Sequence, residues 1–156
     1  MGGFGHHVFA IRSDKDEHFT TAIPQNNGED ENLVLPGSLG GRSRIVGARI
    51  ISMDNLAWAV TYWGNDSFTN DTDIDLTRYL GHYIWAVGDG KQRNASGPYY
   101  YVVWDLDIPY IDLDHPKAGV PTSPRLHIAL GNLSVAPKTA GINGAVVVET
   151  LMIPTN

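Results

Sequence analysis

The chain has no cysteine among its 156 residues, which excludes a disulfide frame and any thiolate metal site. For a domain of this size that absence points to folding in a reducing cytoplasm. Charge is sparse as well: Asp, Glu, Lys and Arg make up 18% of the residues, where about a quarter is usual. The 11 Lys and Arg are scattered and the formal net charge is −6, so the basic stripe needed to follow a nucleic-acid backbone is missing. No apolar run approaches the roughly 20 residues that span a bilayer. The first residues, MGGFGHHVFAIRSDKDEH, lack a basic stretch followed by a long apolar core, so no export signal is expected. In that context the glycosylation-type triplets at Asn65, Asn70, Asn94 and Asn132 are chance matches.

What is abundant is turn chemistry. The 17 glycines and nine prolines break the chain into short β-branched and aromatic runs. Val8 to Arg12 and Phe19 to Ile23 are the first strand candidates. Pro24 to Gly41 reads as a long acidic, then glycine-rich, loop whose Leu33-Val34-Leu35 could dock on a sheet. Arg44 to Met53 and Leu56 to Trp63, joined by Asp54-Asn55, read as a hairpin, with Trp58, Val60 and Tyr62 on one face. Asp71 to Leu80 has room for one short helical turn. Gly81 to Val87 and Pro98 to Leu106 are strands flanking GDGKQRNASG, a hairpin loop rich in turn residues, and Ile108 to Leu113 is extended. Arg125 to Gly131 and Ala145 to Ile153 close the chain. No helix is long enough for a parallel-strand crossover. The pattern predicts a single all-β domain over residues 1–156, an antiparallel β-sandwich or jelly roll. Residues 1–43 would be an extended arm and long loop, and 44–156 the main sandwich.

The search for chemistry meets no catalytic template. Gly37 to Ser43 and Gly88 to Arg93 lack phosphate-loop spacing and open no helix. Asp71, Asp73 and Asp75 begin like a calcium loop, but Leu76 stands where that loop needs Gly and His82 where it needs Glu. Capping of a local turn explains them better. Asp105, Asp107, Asp112 and Asp114 with His115 form the densest acidic cluster, and a glycosidase would need two such carboxylates about 5–9.5 Å apart. The six histidines show no HxH or HExxH spacing, His127 lies inside an apolar strand, and no GxSxG is present. A non-enzymatic protein without metal or cofactor is therefore expected.

The aromatic residues are the remaining resource. Alternation places Tyr99 and Tyr101 on one face of their strand and Tyr100 on the other, so some rings must lie outside the core. Rings of this kind serve either a subunit interface or a sugar platform.

Three stretches carry a resemblance: SRIVGARIISMDNLAWAVTYWGND, YYYVVWDLDIPYIDLD and PRLHIALGNLSVAPKTAGINGAVVVETLMIP. In order and texture they resemble small structural proteins of tailed-bacteriophage virions, namely jelly-roll decoration or cement proteins of the head and related spike or fibre-base modules. The resemblance implies a protein that folds in the host cytoplasm and then sits in the virion. It would pack against copies of itself, three by first expectation, and against a major capsid or other virion protein, with neither nucleic acid nor membrane as partner. The expected interface residues are Phe4 and Val8 of the glycine-loosened N-terminal arm, Tyr99 and Tyr101, and Val146 and Val148. The last two follow from Ala145-Val-Val-Val148, which is apolar at successive positions, as in a strand covered on both faces. A carbohydrate- or receptor-binding β module is the alternative function.

Overall fold

A computed structural model describes residues 8–13, 27–64, 76–113, 115, 123–134 and 146–155. Ten strands run through them: β1 (Phe9–Arg12), β2 (Asn27–Val34), β3 (Arg42–Ser52), β4 (Trp58–Gly64), β5 (Tyr79–Trp85), β6 (Lys91–Gln92), β7 (Tyr99–Val103), β8 (Ile108–Ile111), β9 (Arg125–Asn132) and β10 (Val147–Pro154). Helical structure among the described residues is confined to three short 3-10 turns, at Gly37–Leu39, Leu76–Arg78 and Val87–Asp89.

The strands form two antiparallel sheets. The first runs β1-β10-β3-β7-β6, with β8 also paired to β3, and the second runs β2-β9-β4-β5. Leaving aside the short β6 and β8, the order 1-10-3-7 against 2-9-4-5 is the double Greek key of a jelly roll. The eleven-residue β3 is long enough to hold two partners end to end on one edge, β8 at Arg42–Ile45 and β7 at Ala48–Ser52.

Alternation decides which side chains enter the core. From the first sheet come Ile45, Ile50, Tyr101, Val148 and Met152, and from the second Trp58, Val60, Tyr62, Trp85, Leu126, Ile128 and Leu130, all buried in one cluster. Polar contacts also cross between the sheets, one of them deep in this core. The Tyr62 hydroxyl on β4 lies 3.1 Å from Thr150 Oγ1 on β10, with both residues fully buried. Replacing Tyr62 by Phe would leave that threonine oxygen buried without its partner. The variant is expected to lose about 1–2 kcal/mol in urea unfolding, and an unchanged midpoint would show that the contact contributes nothing.

Several sequence expectations are corrected here. Arg44–Met53 and Leu56–Trp63 are strands but not a hairpin: β3 and β4 belong to opposite sheets, and Asp54-Asn55 carries the chain across the core. The apolar residues of the two strands meet face to face instead of their backbones pairing. The same holds for the strands around GDGKQRNASG, where β5 and β7 lie in different sheets and the true hairpin is β6–β7. The two closing strands are likewise split, β9 pairing with β2 and β4, and β10 with β1 and β3. Residues 1–43 are not merely an arm and loop, because β1 pairs along β10 and β2 pairs along the whole of β9. Phe19–Ile23 and Asp71, Asp73 and Asp75 lie outside the described residues.

Candidate functional site

The outward face of the first sheet has no second layer on it among the described residues. Strand register writes its rows directly. Val147, Ile51, Tyr100 and Lys91 stand side by side across β10, β3, β7 and β6. The next row is Arg12, Glu149, Arg49 and Val102. Glu149 is held between two guanidiniums, with Arg12 Nε at 3.2 Å and Arg49 Nε donating at 2.7 Å. The third row is Ala10, Leu151 and Gly47.

Gly47 is there for space. A Cβ at this position would come within 3.3 Å of Trp104 Cε3 and 3.2 Å of Leu151 Cδ1, so both side chains lie against bare backbone. Trp104 is thereby seated along one side while remaining 64% exposed. Beside it the β6–β7 hairpin completes a groove of about 220 Å³ lined by Arg49, Lys91, Gln92, Arg93, Tyr100, Val102 and Trp104. The Tyr100 ring has the Arg93 guanidinium 5.0 Å and the Arg49 guanidinium 5.8 Å from its centroid. These cation–π contacts hold two otherwise flexible cations in place.

A larger cleft of about 560 Å³ lies at the Gly37–Gly41 turn, bounded also by Arg42, Asp112, Leu113, His115 and Thr155. Gly40, at φ 61°, needs to be glycine to make the turn. The acidic residue here is structural. Asp112 is buried, its Oδ2 accepts the Arg125 N–H at 3.1 Å, and its own N–H donates to the Gly41 carbonyl at 2.8 Å. The turn is a single 3-10 turn, and no phosphate-binding helix follows it.

Asp107 and Asp112 do not form a carboxylate pair. Asp107 is exposed and ion-paired with Arg44 at one end of β8, while Asp112 is buried beyond the other end. Five extended residues separate them by about 16 Å at ~3.3 Å per residue, beyond any glycosidase spacing. Asp114 lies outside the described residues. No three metal-binding side chains converge among the described residues, and none of their helices is long and apolar enough to cross a membrane.

No family model and no curated protein matches the chain.

The expected interface residues separate into three groups. Val8 is 57% exposed just before β1, in keeping with a contact role, and Phe4 lies outside the described residues. Tyr99 is half-buried and packs on the core. Tyr101, Val146 and Val148 are corrected: all three are buried inside the chain's own core and offer no surface to a partner. The reason is register. Val148 and Tyr101 share the inward face of the first sheet, and of the apolar run's later valines only Val147 points outward, where it is half-buried in a row with Ile51 and Tyr100. Sequence reasoning had the outward Tyr100 within reach through alternation. It missed Arg49 and Arg93, because their meeting at one ring depends on β3 lying beside β7.

Proposed function

We propose that this is a non-enzymatic architectural protein that assembles with copies of itself, as a decoration, cement or spike-base component of a tailed-phage virion. The observation that supports self-assembly is the edge of the second sheet at β5, which pairs with no further strand among the described residues. Of the edge strands among the described residues, β1 has four residues and ends in Arg12, β6 has two, β8 has four and contains Pro109, and β2 carries Glu29, Asp30 and Glu31. Each is short or charged, as edges that avoid pairing usually are. β5 is different: Tyr79–Trp85 (YLGHYIW) is seven residues long with no Lys, Arg, Asp, Glu or Pro.

Its outward side chains include Ile84, 54% exposed, and Tyr79, which stacks edge-on against Trp63 at 5.3 Å and bonds His82 through its hydroxyl. An edge strand with no outer partner among the described residues, beside exposed apolar side chains, is a template for adding a strand from another subunit. In a chain of net charge −6, an edge free of carboxylates is also where two copies meet with least repulsion. A closed ring is the default outcome of self-association through defined patches, with three copies the first expectation from the virion-protein resemblance.

Native mass spectrometry at micromolar concentration tests this. The unmodified chain is expected as a closed oligomer and Ile84→Lys as a monomer, its stability within about 0.5 kcal/mol of the parent because the site is exposed. A parent chain that stays monomeric at all concentrations would overturn the reading.

A further inference from the structure

We propose that the groove between the β6–β7 hairpin and β3 is a binding site for an acidic sugar, a pyranose unit bearing a carboxylate. The site lies on the outward face of the first sheet, whereas the edge proposed for self-assembly belongs to the second, so the two proposals stand independently.

Charge supplies the first reason. The chain is net acidic, yet Arg49, Lys91 and Arg93 gather here. Arg49 is committed to Glu149. Lys91 and Arg93 have no carboxylate partner among the described residues: Lys91 Nζ reaches only the Gly88 carbonyl at 3.3 Å, and Arg93 rests on Tyr100. Two uncommitted cations at a preformed groove call for an anion, and a guanidinium pinned on a ring is ready for two-point recognition of a carboxylate.

Shape and polarity supply the second reason. Tyr100, Val102 and Trp104 line the same groove, and Trp104 is backed by Gly47 and Leu151 yet open to solvent. A fixed, exposed indole suits the apolar C–H face of a sugar ring, with polar groups alongside for the hydroxyls. Gln92 is such a group. Its Nε2 is spent on the Gly97 carbonyl at 2.8 Å, which orients the amide and leaves its oxygen as an acceptor. At about 220 Å³ the groove is below the ~300 Å³ of pockets that enclose a whole drug-sized ligand, which favours one sugar unit of a longer glycan lying across the surface. An acidic peptide would satisfy the cations but would leave the flat indole and the oriented amide without a purpose.

Titration calorimetry on the full chain decides the matter, with trigalacturonic acid and 3′-sialyllactose as acidic probes. Methyl-esterified trigalacturonate and lactose are their neutral counterparts, and a hexaglutamate peptide is the competing anion. Saturable binding to at least one acidic sugar is expected, weakened by salt and absent with its neutral counterpart. Trp104→Ala and Arg93→Ala, both at exposed positions, are each expected to weaken it at least about tenfold with melting unchanged. Failure of both acidic sugars to bind would overturn the proposal. So would equal binding of the neutral sugars, or tighter binding of the peptide.

Discussion

Trp58→Ala is expected to be the most damaging single substitution in the chain, lowering unfolding stability by about 3–5 kcal/mol. Trp58 is fully buried on the inward face of β4, level with Trp85 on β5 and Asn132 on β9. It is among the largest fully buried side chains, and it sits just after the chain crosses from one sheet to the other at Asp54-Asn55. That crossing is itself held by a core residue, since the Tyr101 hydroxyl accepts the Leu56 N–H at 3.0 Å and donates to Asn55 Oδ1 at 3.1 Å. Truncating Trp58 removes its transfer free energy and leaves a cavity whose walls belong to both sheets and so collapse poorly. Against a usual total of about 5–15 kcal/mol, that is a large fraction. At roughly 2–4 °C per kcal/mol for a chain near this size, the melting temperature should fall by about 6–20 °C. Urea unfolding of parent and variant checks it. A midpoint shift worth less than about 1 kcal/mol, with the slope unchanged, would mean that Trp58 does not bridge the two sheets.

The same crossing shows what could be read in advance. Strand existence was legible, because β-branched and aromatic runs broken by Gly, Pro and Asn carry a local signal, and the inward set Trp58, Val60 and Tyr62 follows from alternation alone. Partner choice was not. A two-residue turn such as Asp54-Asn55 serves equally for a hairpin and for a step between sheets, and only burial of Ile50 against the second sheet selects the step. β2 was hidden for another reason: NGEDENLV is acidic and poor in strand formers, and it is a strand because β9 offers a full ladder to pair with. Val146 and Val148 show the converse error. An apolar run in a strand next to the core does not require a second subunit when one of its faces is the core and the other is a half-covered row.

The groove was the least legible element of all. Tyr100, Val102 and Trp104 are two apart in sequence, but Arg49 lies about fifty residues earlier and reaches Tyr100 only through the β3–β7 register. Fold alone does not choose between architecture and recognition, since jelly rolls serve viral shells and lectins alike. The β5 edge and the Trp104 groove allow the two proposed roles to be tested separately, because each can be altered by a surface substitution that leaves the core intact.

Stability is expected to be level from neutral pH to about pH 9 and then to fall steeply, by up to about 3 kcal/mol over the unit above pH 10. Three buried tyrosines are the cause. Burial pushes the Tyr62 phenol well above its ordinary value of 10. Burial does the same for Tyr110, reinforced by the Asp112 carboxylate, and burial raises Tyr101 as well. Each hydroxyl is engaged while protonated: Tyr62 with Thr150, Tyr110 by donating to the Arg125 carbonyl at 2.6 Å, and Tyr101 by donating to Asn55. Below about pH 9 both folded and unfolded chains keep these protons, so the full stability is present. Above it the unfolded chain ionises while the folded one resists, so stability is lost as pH rises toward the folded values. Tyr62 and Tyr110 each contribute up to about 1.4 kcal/mol per pH unit, and Tyr101 adds in the same direction. Urea unfolding between pH 7 and pH 11 measures the slope, and phenolate absorbance of the folded chain reports whether the three tyrosines are held back. In Tyr62→Phe the alkaline slope should shrink by about a third to a half even though stability at neutral pH is lower, a crossing of effects that simple loss of a hydrogen bond would not produce. Stability that stays level through pH 11, or folded-state phenols that all ionise near pH 10, would show that these hydroxyls are not sealed between the sheets.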